Sequence, residues 1–366
     1  MFHTKTLASL TITAALAATS YTAAAQTEMV VVSWGGAYSA SQQKAYHEPY
    51  MAENEGVSIV NDDSANEAVA KLRAMNEAGN VTWSLVDVVA SDAIRLCDEG
   101  LAEEIDFDTM LAAAPDGTPA TEDFGELIVS DCFIPQIVYS TTFGYRTDLV
   151  GDNPPTTIAD VFDLEKIPGK RSLEKNPINN LEWALIADGV PPEEVYDTLD
   201  TPEGVDRAFA KLDTIKDSVV WWEKGAQTPQ LLADGEVVMG STYNGRLFSV
   251  IEEEKQPVAM MWDWQVFDLD GWIIPKGAPH REEVGKFLMF ATDTQRLADQ
   301  AKFISYGPAR ASSAPMVGQH ADLGIDMAPH MPTNPENAKN TLLYNYEWWA
   351  DNRDDMNERF QAWLAQ

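Results

Sequence analysis

A β-branched run, Met29 to Ser33 (MVVVS), ends in Trp34-Gly35-Gly36-Ala37-Tyr38, and Ser39-x-x-Gln42 follows with the form of a helix-capping box. This reads as strand, glycine turn and helix. The unit recurs: residues 57–60 form a second strand, 67–78 an amphipathic helix stopped by Gly79, and 85–89 a third strand leading into Ser91-Asp92. Such alternation requires a mostly parallel sheet covered by helices on both faces, an α/β class. In sheets of this kind small molecules lie beyond the C-terminal strand ends, where glycine turns and helix N-termini converge.

A second set of elements begins with the strand-like stretch 136–143 (QIVYSTTF), with helices expected at 157–163, 181–188 and 202–216. Residues 236–240 (EVVMG) read as a strand that ends in Ser241-Thr242-Tyr243-Asn244-Gly245-Arg246. Residues 271–275 (GWIIP) read as a return strand, with a helix over 282–290. The chain therefore crosses between two lobes more than once. A length of 366 residues with 45% hydrophobic content is enough for two cores.

The first 25 residues carry Lys5, an apolar run from Leu7 to Ala17 and then Ala23-Ala24-Ala25, the form of a secretory leader cleaved after Ala25. The apolar run is shorter than the roughly 20 residues that span a bilayer. These features predict a freely diffusing periplasmic protein, expected to be a monomer. A net charge of −33 excludes nucleic acid as a partner and draws small cations towards the surface, although solubility in salt accounts for it equally well. Cys97 and Cys132 are the two cysteines; in an oxidising compartment such a pair usually bridges, the alternative being two buried thiols.

Nothing in the sequence has the spacing of a catalytic centre. His47, His280, His320 and His330 are scattered, and no HExxH, GxSxG or phosphate-loop string is present. The paired acids Asp268 and Asp270 suit a simpler task, neutralising an ammonium group. No cofactor and no metal are expected. A ferric-ion binder would need adjacent tyrosines, and Tyr344 and Tyr346 are separated by Asn345.

The strings VVSWGGAYSASQQ, VDVVASDAIRLCDEGLAEEID, GSTYNGRLFSV, DLDGWIIPKGAPH and SYGPAR, in this order and at these intervals, resemble the spermidine/putrescine-binding family of periplasmic solute-binding proteins. The resemblance implies a two-lobed periplasmic binding protein fold of type II, with crossover hinge strands and a central ligand cleft. It implies a small amine-bearing solute of the polyamine class, delivered to an ABC permease in the inner membrane. The lobes would comprise 26–141 plus 269–316, and 142–268 plus 317–366. By matching position, the family's site falls on Trp34, Tyr38, Ser91, Tyr243, Asp270 and Tyr306. Aromatic faces with a carboxylate suit an ammonium, through cation–π contact and a charge-assisted hydrogen bond.

The sequence also departs from that family. Asn176 and Asn179 stand where acids for a distal ammonium are expected, and Arg246 follows the Asn-Gly turn. A guanidinium in the cleft opposes a polycation and favours a carboxylate. A zwitterionic ω-amino acid such as γ-aminobutyrate would satisfy Asp270 and Arg246 together, helped by the N-terminal end of the helix at Ser39. The competing reading pairs Arg246 with Asp268, Asp270 or Glu252. Glu182, Trp264 and Trp349 are further candidates for the cleft.

Overall fold

The computed structural model describes Met1 and residues 27–366. The leader and its cleavage point after Ala25 lie outside the described residues. Among the described residues ten strands form one mixed sheet: β1 (Thr27–Val32), β2 (Val57–Asp62), β3 (Leu85–Val89), β4 (Ile134–Arg146), β5 (Arg171–Glu174), β6 (Val219–Trp222), β7 (Met239–Tyr243), β8 (Val258–Ile273), β9 (Gly307–Pro308) and β10 (Thr341–Leu343). The main path runs β2-β1-β3-β8-β4-β7-β5-β6, with β9 on β4 and β10 on β8.

This order is two parallel triplets joined by an antiparallel pair. β2, β1 and β3 run parallel, as do β6, β5 and β7. Between them, β4 and β8 pair antiparallel along nearly their whole length. β8 meets β3 through Asp270–Ile273, whereas β4 meets β7 through Thr141–Tyr145. The two long strands therefore belong to both halves. Their ladder slips where Thr141 faces Val266 but Phe143 faces Met261, so that Trp262–Gln265 bulge from β8. Trp264 takes a left-handed φ of 53° within this bulge, a conformation a bulky side chain adopts only when its surroundings impose it.

Each half has its own core. On one side Met29, Val31, Leu85, Trp272 and Phe287 pack together, beside a second cluster of Val32, Val86, Val88, Phe133 and Ile273. On the other, Phe143, Trp183, Leu185, Phe209, Trp349 and Phe360 form one cluster. These separate cores give the two-lobed α/β architecture that the strand–helix alternation implies.

Strand β3 lies where the sequence pattern puts it, and the helices Ala68–Glu77 and Arg281–Ala291 agree closely. Other expectations change: the helix expected at 157–163 is a single 3₁₀ turn, Ile158–Val161, and that at 202–216 ends at Asp213. The first helix starts at Gly36, with Ser39 inside it: the Ser39 hydroxyl accepts from Gly35 N and donates to Asp63, which ties down the turn. Strand β7 covers Met239–Tyr243, later than 236–240, because Asp234-Gly235 closes the preceding helix and Glu236 and Val237 still bond back to Leu231. The return strand at 271–275 is the end of β8, whose 16 residues are broken in pattern by the bulge.

Cys97 and Cys132 form a disulfide that closes a separation of 35 residues within the first lobe. By loop entropy it contributes roughly 3–4 kcal/mol. Replacing both cysteines with alanine should lower the unfolding free energy by that amount, measured by urea titration against the oxidised protein.

Candidate functional site

The strand ends of both halves meet at one cavity of about 290 Å³, at the lower end of the roughly 300–1,000 Å³ typical of small-molecule sites. β1 delivers Trp34 and the Gly35-Gly36 turn, β5 Glu174, β6 Trp222 and β7 Tyr243; Ile137, Tyr139 and Asp270 come from the two long strands. Both glycines of the turn have left-handed φ, 73° and 60°. A Cβ on Gly36 would stand 3.0 Å from Arg246 Nη1, so this turn is what lets the guanidinium approach.

Asp270 is 3% exposed. Trp34 Nε1 donates to its Oδ2 at 2.6 Å, and the Tyr38 hydroxyl lies 2.8 Å from Oδ1. Tyr306 stacks at a tilt against Tyr38, with ring centroids 5.8 Å apart, and Tyr139 packs edge-on against Tyr243 at 5.5 Å. The acid therefore sits in an aromatic wall and has no cationic partner among the described residues.

Arg246 is 8% exposed and faces the same cavity from the other lobe, on the helix Asn244–Phe248. Its Nη2 reaches only the carbonyl oxygens of Trp34 and Gly35, at 3.3 and 3.4 Å, and its Nε has no partner. It lies over the Tyr243 ring, 5.9 Å from the centroid. Among the described residues Arg246 makes no ion pair within 4 Å, so the anticipated bridges to Asp268, Asp270 and Glu252 are not formed. Burying an ion costs several kcal/mol unless a counter-charge repays it. Asp270 and Arg246 thus line a single cavity without meeting each other.

Residues 45–333 match the family of bacterial extracellular solute-binding proteins. The chain belongs to that family. The γ-aminobutyric acid-binding protein of Pseudomonas aeruginosa strain PAO1 is 36% identical over 348 residues, 94% of each chain. Among solved structures, the periplasmic binding protein MotA of A. tumefaciens B6 in complex with glucopine is 30% identical with a TM-score of 0.81, over 92% of this chain and 99% of that one. The Atu4243-GABA receptor is 32% identical with a TM-score of 0.77, over 93% and 98%. PotD of Streptococcus pneumoniae, a spermidine/putrescine transporter's binding protein, has a TM-score of 0.68 at 14% identity, which carries the fold alone. The resemblance to polyamine receptors therefore holds for the solute-binding family and its architecture, and the more similar relatives do not extend it to polyamines.

As a solute-binding protein this chain is the receptor component of an ABC importer and not an enzyme. Of the residues singled out in the sequence, Trp34, Tyr38, Tyr243, Arg246, Asp270 and Tyr306 line the cavity. Ser91 and Asp268 do not. Ser91 is buried at the start of the helix Ala90–Asp98, its hydroxyl 3.4 Å from the Tyr344 hydroxyl and 3.2 Å from Arg353 Nη2. The pleat of β8 would put Asp268 on the face of Asp270, but Tyr139 stands between it and the cavity and donates to it at 2.7 Å. Glu182 is held in the second core by Trp349 Nε1 at 2.7 Å and Tyr196 at 3.2 Å. Neither Trp264, Trp349, Tyr344 nor Tyr346 reaches the cavity lining. Tyr139, Glu174 and Trp222 were missed; the period-2 alternation that places Ile137 on the cavity also places Tyr139 there, and Glu174 closes a short strand, RSLE, with no turn signal of its own.

A chain of buried polar groups runs behind Asp270. Gln42 Nε2 contacts both oxygens of Asp87, at 2.9 and 3.1 Å, and Gln136 Oε1 at 3.1 Å; Gln136 Oε1 lies 2.7 Å from the Tyr38 hydroxyl. The phenol has one hydrogen and two acceptors. Every contact is satisfied when Asp270 holds a proton and donates it to the phenol oxygen, which in turn donates to Gln136. Burial, and then the nearby Asp87, raises the Asp270 carboxyl well above its ordinary range, and burial raises Asp87 to about 8.

The folded protein consequently retains a proton on Asp87 that the unfolded chain has lost between about pH 4 and pH 8. The unfolding free energy therefore falls as pH rises through that window, with a limiting slope of about 1.4 kcal/mol per pH unit for each such proton. Asp87→Asn should flatten this decline, so that its stability relative to wild type improves from pH 5 to pH 8 in chemical denaturation of the unliganded protein.

Proposed function

We propose that this receptor captures a small zwitterion carrying one ammonium and one carboxylate, an ω-amino acid of the γ-aminobutyrate class, in the periplasm. The observation that carries this reading is a buried acid and a buried base that face one cavity from opposite lobes, neither with an ion-pair partner. Asp270 with Trp34 and Tyr38 would receive the ammonium, and Arg246 the carboxylate. A ligand with both groups repays the burial of both residues at once, whereas a polyamine would satisfy Asp270 and leave Arg246 opposed. The names of the γ-aminobutyrate-binding relatives support the same class.

Capture proceeds by closure of the lobes about β4 and β8, with the ladder slip at Thr141–Phe143 as the compliant point. The lobes so defined are 26–141 plus 269–316, and 142–268 plus 317–366. Because Asp270 and Arg246 sit on opposite lobes, only the closed state offers both contacts, and the ligand shifts the equilibrium by its preference for that state. A shift from 1:99 to 99:1 needs roughly 5.5 kcal/mol, which is within the range of two desolvated charge-assisted contacts.

Isothermal titration of γ-aminobutyrate into the wild-type protein should show binding, with Asp270→Asn and Arg246→Gln each losing about 2–5 kcal/mol. Retention of affinity in Arg246→Gln, or tight binding of spermidine by the wild type, would return the polyamine reading. If the ammonium ionises Asp270, titrations near neutral pH in buffers of different ionisation enthalpy should report proton release on binding. Affinity should accordingly rise with pH until the ligand amine itself deprotonates.

A further inference from the structure

A second contact joins the lobes away from the cavity. The helix Ala90–Asp98 is anchored in the first lobe by Ala90, Ala93 and Leu96, and the C-terminal helix Tyr346–Leu364 in the second by Trp349, Phe360 and Trp363. Their facing turns carry charges in reciprocal order. Arg353 Nη1 pairs with Asp92, and its Nη2 donates to Ser91 Oγ at 3.2 Å. The next residue, Asp354, pairs with Arg95, which grips both carboxylate oxygens, Nη1 at 3.1 Å and Nη2 closer. Asp92 and Arg95 stand three residues apart and so share one face of their helix. The Ser91 hydroxyl also lies 3.4 Å from that of Tyr344, just before the second helix.

The position of this contact fixes its sense. β3 ends at Val89, which lines the cavity, and the helix begins at the next residue. Ser91 and Asp92 therefore stand where the C-terminal strand ends face the gap between the lobes. β10 runs parallel to β8, out of the second lobe towards the first, and delivers Tyr344 to the same place. Widening the gap draws Asp92 and Arg95 away from Arg353 and Asp354. The Arg353 and Asp92 side chains are 17% and 15% exposed, and Arg95 is held from its other side by Glu99, itself bound to Arg73. Isolated surface pairs contribute little, whereas bidentate geometry and a network of several charges are the conditions under which ion pairs matter. None of these residues lines the cavity.

We propose that the double ion pair between these helices is a latch for the closed state, which holds the lobes together whatever the solute and so sets how much of the ligand's binding energy closure consumes. This rests on the reading that capture closes the lobes about β4 and β8. Apparent affinity scales with the population of the binding-competent state, so a change in the latch moves every ligand by one common factor and leaves the preference among ligands untouched.

Calorimetry with γ-aminobutyrate and δ-aminovalerate as probes, beside small-angle X-ray scattering with and without each, tests this on the purified receptor. The Asp354 side chain is 70% exposed, so Asp354→Lys leaves both cores intact while setting a like charge against Arg95 and Arg353. It should weaken both probes by the same factor, about fivefold, and enlarge the radius of gyration of the unliganded protein. Adding Arg95→Glu should restore the affinity for both. Wild-type affinity in Asp354→Lys, tighter binding in it, or a loss that Arg95→Glu does not repair overturns the latch while leaving closure standing. A wild type that binds without contracting sinks the closure reading, and the latch with it. If neither probe binds, the zwitterion reading fails by itself, and the radius of gyration decides: an unliganded Asp354→Lys protein no larger than wild type overturns the latch.

Discussion

A buried acid, Asp270, and a buried base, Arg246, face one cavity and form no ion pair with each other. Left alone, each is an unfavourable burial. The surrounding structure holds them apart: the Trp34 and Tyr38 bonds fix the acid on the first lobe, and the short helix after β7 carries the guanidinium on the second. The architecture can be understood as the framework that keeps this separation while still allowing the halves to move.

That framework rests on β4 and β8. A sheet running unbroken through both halves would lock their relative orientation, because each ladder bond resists bending. The four-residue bulge at Trp262–Gln265 interrupts the pairing between the two cores. The cores on either side are close-packed, so the proposed closure would move them as bodies. Parallel triplets point their C-terminal ends into the gap, so the polar and aromatic residues that terminate those strands gather there without any contact between them in sequence.

Much of the fold was legible from local pattern. The strand–glycine–helix units around Met29 and Leu85 are governed by nearby residues, and the sequence places them within a few positions. The continuity of β8 was not legible, because the run from Val258 to Ile273 alternates in polarity with two different registers on either side of the bulge, and only its end resembles a strand by composition. In the site, residues at the ends of recognisable strands, such as Trp34, Tyr243 and Asp270, reach the cavity. Ser91 and Asp268 show the limit of that logic: a strand end sets direction, but Arg353 and Tyr139, remote in sequence, decide whether the side chain meets solvent, ligand or protein. The charge of Arg246 could be read, but its lack of an ion pair could not, since that depends on none of the acids sharing its cavity coming within 4 Å in three dimensions.

The hold of Arg246 on the carbonyl oxygens of Trp34 and Gly35 spans the gap between the lobes. On the proposed reading, opening the lobes would break that grip and carry the guanidinium away with the second lobe, while Asp270 and the Trp34 and Tyr38 rings stay on the first. A cargo held by both ends could then keep only one of its two anchors, so that loss of the interlobe grip and loss of tight holding would be a single event.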